Sequence, residues 1–178
     1  MVNIKTERLL IRGFQESDAA GFLDYLKRPR VNCFWDAKLN TLEEAIADVQ
    51  LRSLDENQFA VCLQADNLII GNLFAVKDEP DTYSVGWHFN EKYEGEGCAI
   101  EAARAFLTYL FTVKEARRIY AYVEDYNLRS QKLCERLGMR KEAFFLEFIS
   151  FVRNQDGSPK YENTFEYAIL KNEWSVNA

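Results

Sequence analysis

The sequence predicts one mixed α/β domain spanning residues 1–178, and three observations predict it. Segments with strand alternation and segments with helical periodicity follow one another in the order β-αα-βββ-α-β-α-ββ, the pattern of a sheet flanked by helices. Of the 178 residues, 48% are hydrophobic and 14% aromatic, which supplies a core and argues against disorder. No repeat, low-complexity segment or linker interrupts the pattern.

The first strand is read at residues 8–14 ("RLLIRGF"). The helix "ESDAAGFLDYLKR" follows, with Ser17 or Asp18 as N-cap and Phe22, Leu23 and Leu26 on one face; Pro29 ends it. "TLEEAIADVQLRSL" is the second helix: Thr41 and Glu44 have capping-box spacing, and Leu42, Ala45, Ile46 and Val49 recur at helical intervals. Three strands are read at 58–64, 68–77 and 83–90, separated by the turns "ADN" and "DEPD". In "AIEAARAFLTYLF", Ile100, Ala103, Phe106, Leu107, Leu110 and Phe111 form a buried helical stripe. "RRIYAYVED" is a strand. "NLRSQKLCERLG" is a helix between Asn127 as cap and Gly138 just past its end. Two last strands, "AFFLEFISFVR" and "YENTFEYAIL", are joined by the turn "NQDGSPK".

Composition narrows the function classes. The net charge is −6, and no run of Lys or Arg occurs. Nucleic acid or an anionic membrane is therefore not expected as the main partner, whereas a basic substrate is compatible. Cys33, Cys62, Cys98 and Cys134 are widely spaced and His88 is the single histidine, so no zinc site or disulfide framework is expected. The start "MVNIKTERLL" lacks the apolar run of a signal peptide, which leads to the expectation of a cytoplasmic protein with reduced thiols.

The stretch that carries chemistry is "YEGEGCAIEA", residues 93–102. Its Gly-x-Gly stands between a strand and a helix. A nucleotide P-loop needs Lys-Ser/Thr after the second glycine, but Cys98-Ala99 follows here; a dinucleotide fingerprint needs a third glycine where Ile100 stands. What remains is a general anion cradle of backbone amides. Glu94 and Glu96 make that cradle unexpectedly acidic.

"GWHFNEKYEGEGCAIEAARAFLTYLF" resembles the acetyl-coenzyme-A loop of the GNAT N-acetyltransferases, whose Q/R-x-x-G-x-G/A reads here Glu94-Gly95-Glu96-Gly97-Cys98-Ala99. "NLRSQKLCERLGMRKEA" resembles the later family segment N-x-x-S-x-x-x-hydrophobic-x-x-LGF. "IKTERLLIRGFQESDAAGF" and "FEYAILKNEW" are similar to the start and end of the branch that holds the ribosomal-protein N-terminal acetyltransferases. Three positions depart from the family pattern. Glu94 replaces Gln/Arg, Met139 replaces the Phe of LGF, and Cys134 stands where many members carry a general-acid Tyr.

The resemblance implies a largely antiparallel, twisted sheet of about six to seven strands with about four helices, in which two strands splay to hold the cofactor. Acetyl-coenzyme A is the implied co-substrate. Its pantetheine arm would meet backbone groups around His88, Phe89 and Asn90, and its pyrophosphate the loop of Glu94, Gly95, Glu96, Gly97, Cys98 and Ala99. Asn127 and Ser130 would contact the arm. The implied reaction is acetyl transfer to a primary amine by direct attack in a ternary complex. A peptide or protein N-terminus is favoured as acceptor; a small amine (antibiotic or polyamine) or a catalytically weak coenzyme-A-binding module are the alternatives. Ser130 is the first candidate to protonate the leaving thiol and Cys134 the second. Glu124, alternating with Tyr120 and Tyr122, is the first candidate base, with His88 behind it. Phe34 and Trp35 are candidates for lining the acceptor pocket. Either a monomer or a homodimer is compatible with the sequence.

Overall fold

A computed structural model describes residues 2–174. Eight strands form one sheet: β1 (Asn3–Lys5), β2 (Leu9–Arg12), β3 (Gln58–Leu63), β4 (Ile69–Asp78), β5 (Thr82–Phe89), β6 (Arg118–Glu124), β7 (Arg140–Arg153) and β8 (Pro159–Leu170). Their order is β1-β2-β3-β4-β5-β6-β8-β7, antiparallel throughout except for the parallel pair β5/β6. The helices are α1 (Ala19–Leu26), α2 (Leu42–Leu54), α3 (Cys98–Thr112), α4 (Leu128–Arg136) and the short α5 (Lys171–Trp174). Strand β1 and helix α5 have no counterpart in the sequence reading, because three or four residues carry no measurable period.

Each helix forms where its local chemistry allows. At α2, the Thr41 hydroxyl accepts from the Glu44 N–H at 3.2 Å, and the Glu44 carboxylate accepts from the Thr41 N–H at 3.3 Å. This is the capping box that the spacing predicts. At α4, the Asn127 side chain caps the Ser130 N–H, and Gly138 leaves the helix at φ +80°. Asp18 behaves differently from a simple cap. It ends a 3₁₀ turn before α1, and its carboxylate is buried against the Arg12 guanidinium with both oxygens bonded at 2.8 Å. That bidentate pair ties the start of α1 to β2.

The sheet separates two apolar cores. On one side α3 and α4 bring Phe106, Leu107, Leu110 and Cys134 against Ile119, Ala121 and Val123 of β6. On the other side α1 and α2 bring Phe22, Leu26 and Val49 against Ala60, Cys62 and Ile69. The β7/β8 ribbon pairs irregularly, with register shifts at Lys141/Ala143, Phe145/Ile149 and Ser150/Val152. Its large apolar side chains Phe144, Leu146 and Phe148 face solvent. Among the described residues no helix is long and apolar enough to cross a membrane.

Candidate active site

The site begins where two strands part. Strands β5 and β6 pair in register only at Thr82↔Arg118, Tyr83↔Ile119 and Ser84↔Tyr120. Beyond that point β5 stays bonded to β4 as far as Phe89, and β6 stays bonded to β8 as far as Glu124. A V-shaped gap therefore opens between two strands that are each held on the outer side only. Close packing holds β5 to β4 here. The Phe74 ring lies over Gly86 so tightly that a Cβ there would stand 2.2 Å from it.

Backbone direction follows from one bond. The Asn90 N–H donates to the Ile70 carbonyl at 2.8 Å, so Asn90 faces β4. Strand alternation turns the His88 backbone the same way and leaves the backbone groups of Trp87 and Phe89 facing the gap. This corrects the sequence expectation, which assigned gap-facing backbone to His88 and Asn90 as well as Phe89. The Asn90 side chain is also committed, since it accepts from the Lys92 N–H and donates to Asp24 on α1.

A cavity of about 360 Å³ lies in the gap and runs to the glycine loop. Gly95 and Gly97 have φ of +85° and +81°, the left-handed region that glycine enters without strain. A Cβ on Gly95 would meet nothing within 4 Å, so its open side faces free space. Gly97 is the N-cap of α3 and has no side chain to cap that helix. The first amides of α3, from Cys98 and Ala99 onward, thus start the helix beside the cavity with the positive end of its dipole. A pyrophosphate-bearing ligand fits such a cradle.

The two acidic loop residues are handled differently. Glu96 is exposed and does not line the cavity; its carbonyl accepts from Arg8, which also pairs with Glu101 and so pins the loop to α3. Glu94 does line the cavity, but it is bonded to Arg30 at 2.9 Å and to Arg129 of α4. Those two guanidiniums hold its carboxyl below the usual carboxylate range. Arg30, Arg129, Lys132 and Arg136 line the wall, with Glu94 as the one carboxylate there among the described residues. A chain of net charge −6 thus presents a locally positive cavity.

Helix α4 supplies the rest. Asn127, Ser130 and Leu133 face the cavity. Ser130 Oγ accepts from the Trp87 indole N–H at 3.0 Å, a contact that joins β5 to α4 across the gap. Asn127 donates to the Glu124 carboxylate at 3.3 Å. Glu124 is buried, off the cavity wall, and its carboxylate lies against Cys33 of the 3₁₀ turn Asn32–Phe34. Burial, together with the Glu124 carboxylate, raises the thiol pKa of Cys33 in that turn. Cys134 is wholly enclosed and absent from the cavity wall, and burial pushes its thiol up to about 12. The sequence expectation made it the second candidate, after Ser130, to protonate the leaving thiol; one helical turn beyond Ser130 it lies in the core while Leu133 takes the wall. A thiol so buried is a poor proton donor.

His88 sits at the tip of β5 on the side of α1. Its ring stacks on Phe34 with centroids 4.0 Å apart and meets the Tyr25 ring edge-on at 5.0 Å. Phe34 is on the wall of the cavity that runs to the glycine loop, whereas Trp35 is exposed under Lys38. A second hollow of about 270 Å³ shares Arg30, His88, Phe89 and Asn90 with the first. The residues that the sequence reading missed are Trp87, Arg30, Arg129, Lys132 and Arg136. Those on α4 carry a detectable signal, a basic row interleaved with Asn127, Ser130 and Leu133; Arg30 carries none.

The acetyltransferase (GNAT) domain family matches residues 8–140. The chain is 32% identical over 176 residues to the uncharacterized N-acetyltransferase YnaD of Bacillus subtilis, covering 98% of this chain and 100% of that protein. It is 26% identical over 168 residues to the [ribosomal protein uS5]-alanine N-acetyltransferase of Escherichia coli, covering 83% of each. The crystal structure of a GNAT-family acetyltransferase from Bacillus anthracis superposes with a TM-score of 0.85 at 31% identity, covering 96% of this chain and 99% of that one.

Burial, with Arg30 and Arg52 nearby, lowers the His88 pKa from 6.5 to about 4, which corresponds to about 3 kcal/mol. The unfolded chain then binds a proton that the folded one refuses, so stability is fully present above pH 6.5 and is lost as pH falls toward 4. As the single histidine, His88 dominates the window from pH 6.5 to 5. Denaturant unfolding should show the wild type losing about 1 kcal/mol or more across that window, and His88→Phe losing little. Equal losses would contradict the burial of a neutral imidazole.

Proposed function

The chain belongs to the GNAT acetyltransferase family, and we propose that it moves the acetyl group of acetyl-coenzyme A to the α-amine of a peptide or protein. The observation that carries this reading is the parting of β5 from β6 directly beside the glycine loop. In it, the pantetheine arm adds to β5 as a further strand would, on the backbone groups of Trp87 and Phe89. The pyrophosphate rests on the amides from Gly95 to Ala99. Arg30, Arg129, Lys132 and Arg136 supply the counter-charge that the loop's own side chains lack.

The reaction forms a nitrogen–carbon bond, breaks the carbon–sulfur bond, and moves the amine's proton to the sulfur overall. Holding both reactants in one cleft is the largest contribution, since well-aligned reactions gain about 7–11 kcal/mol from it. Ser130, on the cavity wall, donates to the departing sulfur. Glu124, buried behind the cavity wall and one hydrogen bond from Asn127 on that wall, takes the amine's proton through water. Cys134, in the core, has no part. A peptide acceptor is supported by the uS5-alanine N-acetyltransferase, which aligns over 83% of this chain.

Thiol release from acetyl-coenzyme A, followed over a panel of amines, tests the acceptor. Peptides with free Ala or Ser N-termini should be turned over and lose activity when N-blocked. Turnover of a polyamine or amine antibiotic alone would move the acceptor class. Saturable cofactor binding with no turnover would make the protein a binding module.

Glu94→Gln addresses the acidic loop. It removes the carboxylate that Arg30 and Arg129 share, so calorimetry should find coenzyme A bound about 2–5-fold tighter at low salt, with the gain shrinking as salt rises. Weaker binding would mean that Glu94 preorganises the two arginines.

A further inference from the structure

Trp87 extends from β5 across the gap to α4, and its indole N–H donates to Ser130 Oγ at 3.0 Å. An indole nitrogen can only donate, so the serine oxygen is the acceptor in this pair and its own proton points elsewhere. Serines in a first helical turn usually spend that proton on nearby backbone. Among the described residues, the Ser130 hydroxyl has Trp87 as its hydrogen-bond partner, while its backbone N–H is capped separately by Asn127 at 3.3 Å. Both Trp87 and Ser130 line the cavity.

We infer that Trp87 is a positioning residue that fixes Ser130 as a hydrogen-bond donor into the cavity, aimed at the sulfur of coenzyme A. The inference rests on the reading of Ser130 as the group that meets the departing thiol. A hydroxyl that accepts one hydrogen bond becomes a better donor of the next, because the two polarise each other. The indole therefore orients Ser130 and strengthens its donation to a thiolate. No net proton transfer from the serine is required. The arrangement also makes one tryptophan serve two purposes: its backbone borders the gap where the arm would lie, and its side chain sets the donor at the arm's reactive end.

Two measurements test this, neither needing an identified acceptor. In the protein alone, the Trp87 indole N–H should exchange slowly with water in the ¹⁵N-labelled chain, and Ser130→Ala should shift its resonance and speed its exchange. An indole signal indifferent to Ser130→Ala would overturn the contact. With coenzyme A bound, its thiol can be titrated by thiolate absorbance. Ser130→Ala should raise the bound thiol's pKa, and Trp87→Phe should raise it by a smaller amount, about half a unit. In the Ser130→Ala background, Trp87→Phe should add nothing. An equal shift in both backgrounds, or no shift where Ser130→Ala gives one, would overturn the positioning role. A bound thiol unmoved by Ser130→Ala would instead overturn the reading of Ser130 itself.

Discussion

The parting of β5 and β6 governs the site. A parallel pair that ended with both strands free would leave two unsatisfied edges in the core, a cost that folded chains avoid. Here each strand is bonded on its other side, β5 to β4 and β6 to β8, so the gap exposes one row of backbone groups per strand. The row on β5 belongs to Trp87 and Phe89, and it ends at the turn that leads into the glycine loop. Loop, gap and the first turn of α4 thereby meet at one cavity without any long insertion. The geometry suits the acyl transfer proposed for it: an extended arm would complete the sheet, and its charged end would rest on a helix N-terminus.

Electrostatics follow the same economy. The loop carries two glutamates, yet the cavity is positive, because Arg30 and three basic residues of α4 surround it. Glu96 points to solvent, and Glu94 is occupied by Arg30 and Arg129. Since these side chains are exposed, their pairing sets the local field more than it sets stability. The acidic loop and the anionic ligand proposed for it are compatible, since the cradle is made of backbone amides and the Glu94 charge is paired with two arginines.

Much of this was readable from residues alone, and the gaps have physical causes. The capping box at Thr41, the stripe of α3 and the Gly-x-Gly cradle are local patterns whose chemistry is complete within a few residues. Strand β1 escaped because three residues hold no period. The Arg30–Glu94 contact joins positions 64 apart, which no local pattern encodes. Glu124 stands at a strand end, where nothing local encodes its burial; the 3₁₀ turn that carries Cys33 lies against it. The burial of Cys134 is not legible in its spacing, because helical periodicity gives a direction around the axis and not the depth at which neighbouring elements enclose a side chain. His88 and Asn90 follow the same lesson on a strand: the right residues at the tip of β5, with backbones turned to the sheet rather than to the gap.

The most direct test of this account is amide NMR on adding coenzyme A to the ¹⁵N-labelled protein. The N–H signals of Gly95, Gly97, Cys98 and Ala99 should move together with those of Trp87 and Phe89, while those of His88 and the paired residues Thr82 to Ser84 stay nearly still. Binding that moves the β7/β8 ribbon or the outer strands, and leaves the glycine loop and the gap untouched, would contradict it.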